Sequence, residues 1–91
     1  MSNERICTIP DSIDWPGRGV AHRVPSQGPD DYRNTGYNAV YVTNDGAMLV
    51  RMSYYVKDLL VARFQAKYKG SASSWHNTPE EAIAGWVVLN T

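Results

Sequence analysis

Apolar and polar residues alternate most regularly between Leu60 and Tyr68. Every second residue is apolar, in the order Leu60, Ala62, Phe64, Ala66 and Tyr68. Arg63, Gln65 and Lys67 lie between them. Side chains of a strand point alternately to opposite faces, so this pattern predicts a strand with one solvent-facing side. A helix over residues 53–69 is the alternative, because Val56, Leu60 and Phe64 also fit helical spacing.

A β-hairpin is predicted immediately before this strand. Tyr37–Thr43 is rich in β-branched and aromatic residues, and Ala47–Ser53 fits the return strand. Asn44-Asp45-Gly46 separates them, and these residue types tolerate the positive φ of hairpin turns. Tyr54–Leu59 fits either a longer second strand or a helical turn.

A capped helix is predicted from Thr78 to about Leu89. Thr78 is a favoured N-cap, Pro79 suits the first helical position, and Glu81 completes a capping box. The apolar stripe that would dock this helix consists of Ala82, Ile83, Trp86 and Leu89. Gly85 costs about 1 kcal/mol relative to alanine, which suggests close approach to the sheet.

The order of strand, small-residue loop and "TPEEAI" helix, from Tyr68-Lys69-Gly70 to Trp86, is similar to the end of HicB-like antitoxins. In that family a three-stranded sheet is followed by such a helix. The resemblance covers the last third of the chain. Capping alone would also select this helix start, so the sequence assigns no family.

Residues 1–36 are predicted to form an irregular N-terminal arm. Arg5–Ile9 fits one short strand, after which proline and glycine recur too often for a regular element. Apolar anchors that would hold the arm over the sheet are Ile13, Trp15, Val20 and Val24. The predicted fold is a single α+β domain. Residues 37–91 supply three to four antiparallel strands and a C-terminal helix packed on one face.

Composition narrows the classes of function. Ninety-one residues with 43% hydrophobic content form one small domain, and the formal net charge is zero. Cys7 is the single cysteine, which excludes an internal disulfide. Together with the lack of a long apolar run, this predicts a reducing, cytoplasmic location without membrane attachment. Six Tyr and three Trp against one Phe favour interface chemistry, since Tyr and Trp combine an apolar body with a polar tip.

Catalytic and metal-binding patterns are not recognised in the sequence. Cys7, His22 and His76 are far apart, and zinc sites need clustered ligands. Gly17-Arg18-Gly19 is not a phosphate-binding fingerprint, which needs more glycines at fixed spacing. We therefore expect no catalytic, metal or cofactor site, and a non-enzyme.

A basic strand face is the most informative candidate for binding. Residues 46–69 carry five cations against Asp58 alone. The predicted contact residues are Arg51, Tyr54, Tyr55, Arg63, Gln65, Lys67 and Lys69. Cations interleaved with aromatic residues suit nucleic acid or an acidic protein surface, and a simple solvated face is the alternative.

The arm offers a second candidate surface. Trp, Tyr and Arg dominate interface hot spots, and the arm contains Trp15, Arg18, His22, Arg23, Tyr32 and Arg33. Alternatively, Trp15 fills the open end of the core.

The leading hypothesis is a small non-catalytic protein-binding module. In its compactness it resembles phage accessory proteins that inhibit host defence systems. A nucleic-acid-binding or regulatory protein using Arg63, Lys67 and Lys69 is the alternative. A homodimer would cover the edges of an open sheet, so the oligomeric state stays open.

Overall fold

The computed structural model describes residues 10–25 and 36–91 of the chain. Six strands and one helix follow one another along these residues. Their bounds are β1 Ser12–Trp15, β2 Gly19–Arg23, β3 Gly36–Val42, β4 Met48–Val56, β5 Leu59–Tyr68, β6 Ser71–Ala72 and α1 Pro79–Leu89.

The strands form one antiparallel sheet in which each strand pairs with its neighbour in sequence, in the order β1-β2-β3-β4-β5-β6. The α+β class agrees with the sequence prediction, but the predicted count of three to four strands is wrong. The additional strands lie in two places, in the predicted N-terminal arm and in the small-residue loop after Tyr68.

The hairpin of β1 and β2 occupies residues that we predicted to be irregular. Gly17 and Gly19 adopt φ values of +83° and +93°, so these glycines make a tight turn between two short strands. Ile13, Trp15 and Ala21 are buried. The glycines therefore mark the ends of strands. Of the apolar residues that we interpreted as anchors, Ile13 and Trp15 face the core, whereas Val20 is 40% exposed. The predicted strand Arg5–Ile9 lies outside the described residues.

The central hairpin is present as predicted, with β4 continuing to Val56. Residues 53–69 form paired strands and a turn rather than a helix, and Lys57 adopts a positive φ of 58° in the turn between β4 and β5. The pairing of β3 with β4 shifts between Ala39 and Tyr41. This β-bulge allows the successive side chains of Val40 and Tyr41 both to be buried in the core.

Helix α1 begins where the sequence predicts. The Glu81 backbone N–H donates to Thr78 Oγ1 at 3.2 Å, and the Thr78 hydroxyl donates to the Glu81 carboxylate at 2.9 Å. The buried residues of the helix include Ala82, Ile83 and Trp86, whereas Leu89, which we predicted to dock with them, is 63% exposed. Gly85 lies against the His76 ring. A Cβ at this position would be only 2.8 Å from His76 Nε2, so a larger residue would not fit without a shift.

The core closes around Trp86. Its ring makes edge contacts with Trp15 of β1, at 5.5 Å between ring centroids, and with Tyr68 of β5, at 6.2 Å. In a flat sheet β1 and β5 would be roughly 19 Å apart, since neighbouring strands are about 4.8 Å apart. The sheet therefore curls around the helix, and Trp86 contacts both sides of the curl.

Two turns reinforce this curl at the surface. Arg18, in the β1–β2 turn, forms an ion pair with Asp45 of the β3–β4 turn at 2.9 Å. The Arg18 guanidinium also lies 4.5 Å from the centre of the Tyr68 ring. The Thr43 hydroxyl donates to Asp45 and lowers the pKa of that carboxyl group, with a smaller contribution from Arg18.

Trp15→Ala is expected to lower the free energy of unfolding by about 3–5 kcal/mol, because a fully buried indole is removed from the core. The matched control is Trp75→Ala, since the Trp75 side chain is 37% exposed. We expect the control to lose roughly 1 kcal/mol or less. Urea unfolding measures both, and equal losses would contradict this arrangement of the core.

Asp45→Asn is expected to destabilise the protein at neutral pH. The lowered pKa of Asp45 stabilises the fold above the unfolded-state value of about 3.9, and this contribution is lost as pH falls through the folded-state pKa. The stability difference between wild type and variant should therefore shrink in acid. Urea midpoints measured over a pH series test this, and a difference that does not change with pH would contradict it.

Candidate functional site

The sheet has two unlike faces. Helix α1 packs mainly on β5, on the side where Leu49, Phe64 and Ala66 are buried. The opposite side of β3, β4 and β5 has no helix on it among the described residues. We call it the open face, and its principal residues are Tyr37, Met48, Met52, Tyr54, Arg63, Gln65, Lys67 and Trp75.

Trp75 reaches the open face because of an irregularity after β6. The Ser73 N–H donates to the Ala66 carbonyl, and His76 pairs with Phe64. The three residue steps from Ser73 to His76 therefore lie opposite the two residue steps from Ala66 to Phe64. One extra residue on one of two paired strands is a β-bulge. The Gln65 side chain fixes the segment by donating to the Ser73 carbonyl at 2.9 Å.

The aromatic residues on this face are held by contacts with one another and with a lysine. The Tyr37 and Trp75 rings meet edge to face, with 6.1 Å between centroids. Lys67 Nζ donates to the Tyr37 hydroxyl at 3.1 Å. Tyr37 remains 51% exposed and Trp75 37% exposed. Large apolar rings are therefore positioned at the surface rather than buried.

A groove of about 360 Å³ runs beside Trp75, lined by Met52, Tyr54, Arg63 and Trp75. Arg63 Nη1 donates to the Ala62 carbonyl at 3.1 Å. Within residues 10–25 and 36–91, the structure shows no ion pair for Arg63. The groove therefore combines apolar walls with a cation that no described carboxylate neutralises. We refer to it as the Trp75 groove.

Exposed apolar residues extend this surface toward β2. Val42 pairs with Met48 across β3 and β4, and the two residues are 40% and 37% exposed. Val20 of β2 is also 40% exposed. Contiguous apolar groups on an exposed surface are typical of interaction sites.

The structure brings together only part of the predicted basic strand face. Tyr54, Arg63, Gln65 and Lys67 share the open face. Arg51 pairs with Phe64, so it lies on the other face and is fully buried.

Two other predicted members also lie away from the open face. Tyr55 follows Tyr54 in β4 and pairs with Leu60, so it lies on the opposite face of the sheet from Tyr54. Lys69 is in the β5–β6 turn beside Tyr68.

The second predicted surface lies on the N-terminal arm. Three of its described residues make contacts within the folded domain. Trp15 is fully buried, whereas Arg18 and Arg23 form ion pairs with Asp45 and Asp11. His22 is exposed on β2. The remaining residues of this surface, Tyr32 and Arg33, and the single cysteine, Cys7, lie outside the described residues.

Sequence reasoning missed four residues of the open face, namely Tyr37, Met48, Met52 and Trp75. Alternation on β3 and β4 would have placed Tyr37, Met48 and Met52 once the hairpin register was fixed. Nothing in the small-residue loop indicates that Trp75 turns back over the sheet, because this depends on the bulge between Ser73 and His76.

Across the described ranges, no three His, Cys, Asp or Glu side chains come together as a group that could hold a metal ion. No helix there is long and apolar enough to cross a membrane. Comparison of the chain with protein-family models, curated proteins and solved structures finds no significant match. The geometry of the open face is therefore the basis for a functional proposal.

Proposed function

We propose that the protein is a small non-catalytic binding module whose open face contacts a protein partner. The observation that carries this proposal is the exposed cluster of Tyr37, Tyr54 and Trp75 beside Met52 and Arg63. Tyr, Trp, Met and Arg are the residue types enriched in protein interfaces. A sheet face of this kind presents them on a rigid support.

Charge supports a partner with an acidic rim. Strands β3, β4 and β5 contain no Asp or Glu, while Arg63 and Lys67 lie on the open face. Complementary charge speeds association and selects among partners. A partner surface with an apolar centre and acidic groups around it would match both the aromatic residues and the positive charge of the open face.

The mode of action that we propose is occupation of a partner's surface. The chain is short, and its open face offers contact area rather than a deep cleft. An accessory protein or inhibitor works in this way, as small phage proteins do when they block a host defence system. The partner's identity would follow from capture.

The test is capture of a stoichiometric partner by tagged protein from a lysate of the source cells or their host. Tyr37→Ala combined with Trp75→Ala should reduce capture at least about tenfold, because it removes the two central rings. The matched control is Val88→Ala combined with Leu89→Ala, two exposed residues of α1. A missing partner, or equal capture by both double variants, would contradict the proposal.

Single-stranded nucleic acid is a second candidate partner. Three exposed aromatic rings and two cations on one face resemble the stacking platforms on which such proteins hold bases.

This alternative predicts binding with a shallow but measurable salt dependence. Two phosphate contacts, from Arg63 and Lys67, would give a slope of about −1.4 in log K against log salt concentration. Fluorescence titration with labelled oligonucleotides measures this slope. Arg63→Glu combined with Lys67→Glu should abolish binding. Absence of any binding at low salt would exclude the alternative.

A further inference from the structure

We infer that the Trp75 groove binds an aromatic side chain of the partner that is flanked in sequence by an acidic residue. This inference rests on the proposed function and deepens it by naming the chemistry of the contact. The walls of the groove, its charge and its size each contribute to the inference.

The walls of the groove fit a flat apolar group. Trp75 and Tyr54 present partly exposed rings, and Met52 lines the groove with them. Aromatic rings pack against one another edge to face or offset, and methionine sulfur also makes favourable contacts with rings. The contact between Tyr37 and Trp75 holds one wall in place. An incoming ring therefore meets a surface that is already ordered.

The charge at the groove favours an anion beside that ring. Arg63 is half-buried, and its Nη1 donates to the Ala62 carbonyl, a neutral acceptor. Its planar guanidinium has five N–H donors in all and matches carboxylate geometry. Lys67 lies beyond Gln65 on the same face of β5 and adds a second positive charge. A partner that buried this surface without a carboxylate would leave Arg63 poorly compensated.

The size and lining of the groove favour an internal acidic residue over a chain terminus. A volume of about 360 Å³ is near the lower limit of small-molecule sites, roughly 300–1,000 Å³. It accommodates one side chain with its immediate neighbour. Recognition of a terminal carboxylate commonly uses a nest of backbone N–H groups. The described lining of this groove contains four side chains on two strands and the segment after β6.

The test uses three short peptides and isotope-labelled protein. Ac-Glu-Trp-NH2 carries an internal carboxylate, Ac-Gln-Trp-NH2 is its neutral isostere, and Ac-Gln-Trp-OH carries only a terminal carboxylate. Titration followed by amide chemical shifts gives both the dissociation constant and the location of binding. We expect the Glu peptide to bind about threefold to tenfold more tightly than the Gln peptide. The largest shifts should occur around Met52, Arg63 and Trp75.

Variants assign this preference to the groove. Arg63→Gln should bring the ratio between the Glu and Gln peptides to about one while leaving weak binding of both, since the apolar walls remain. Trp75→Ala should weaken both peptides at least about tenfold. Lys69→Gln is the matched control. It removes the same charge roughly 20 Å along the chain from Arg63 and should leave the ratio unchanged.

Three outcomes would overturn the inference. These are equal binding of the Glu and Gln peptides, tighter binding of the terminal carboxylate than of the internal one, and a preference that survives Arg63→Gln. None of them removes the proposed function, which depends on capture through Tyr37 and Trp75. Conversely, failure to capture a protein partner would leave the measured peptide preference intact, so the two failures are distinguishable.

Discussion

The contact of Trp86 with Trp15 and Tyr68 is the constraint on which the rest of this structure depends. A domain of 91 residues buries roughly 60% or slightly more of the surface of its unfolded chain, less than a larger domain buries, so one helix must cover as much of the sheet as it can. Curling brings the first and fifth strands to the same indole ring. Arg18 strengthens the arrangement by joining two turns and the Tyr68 ring at the surface.

This curl determines which face is left for function. The described residues contain one helix, and a sheet needs a packed layer on only one side to form a core. The other side of β3–β5 keeps its aromatic and methionine side chains partly exposed, with Trp75 folded over it by the bulge after β6. The proposed binding surface is therefore a consequence of how the small core is closed.

Local signals predicted the elements that depend on local chemistry. The cap formed by Thr78, Pro79 and Glu81 fixed the start of the helix, and the alternation from Leu60 to Tyr68 identified β5. The β1–β2 hairpin was not predicted, because its turn glycines were interpreted as part of an irregular segment. The prediction that Arg51 lies on the basic face was wrong for a different reason. The β4–β5 register decides which face of the sheet Arg51 occupies, and this register pairs Arg51 with Phe64 rather than with Arg63.

The exchange rates of the three indole N–H protons in deuterated water test the central claim most directly. The structure buries Trp15, places Trp86 Nε1 in a hydrogen bond to the Ser71 carbonyl at 3.3 Å, and exposes Trp75. We predict that Trp75 exchanges first, and that Trp15 and Trp86 exchange only when the core opens. Rapid exchange at Trp15, or protection of Trp75 equal to that of Trp86, would contradict a sheet closed around Trp86 with its other face open.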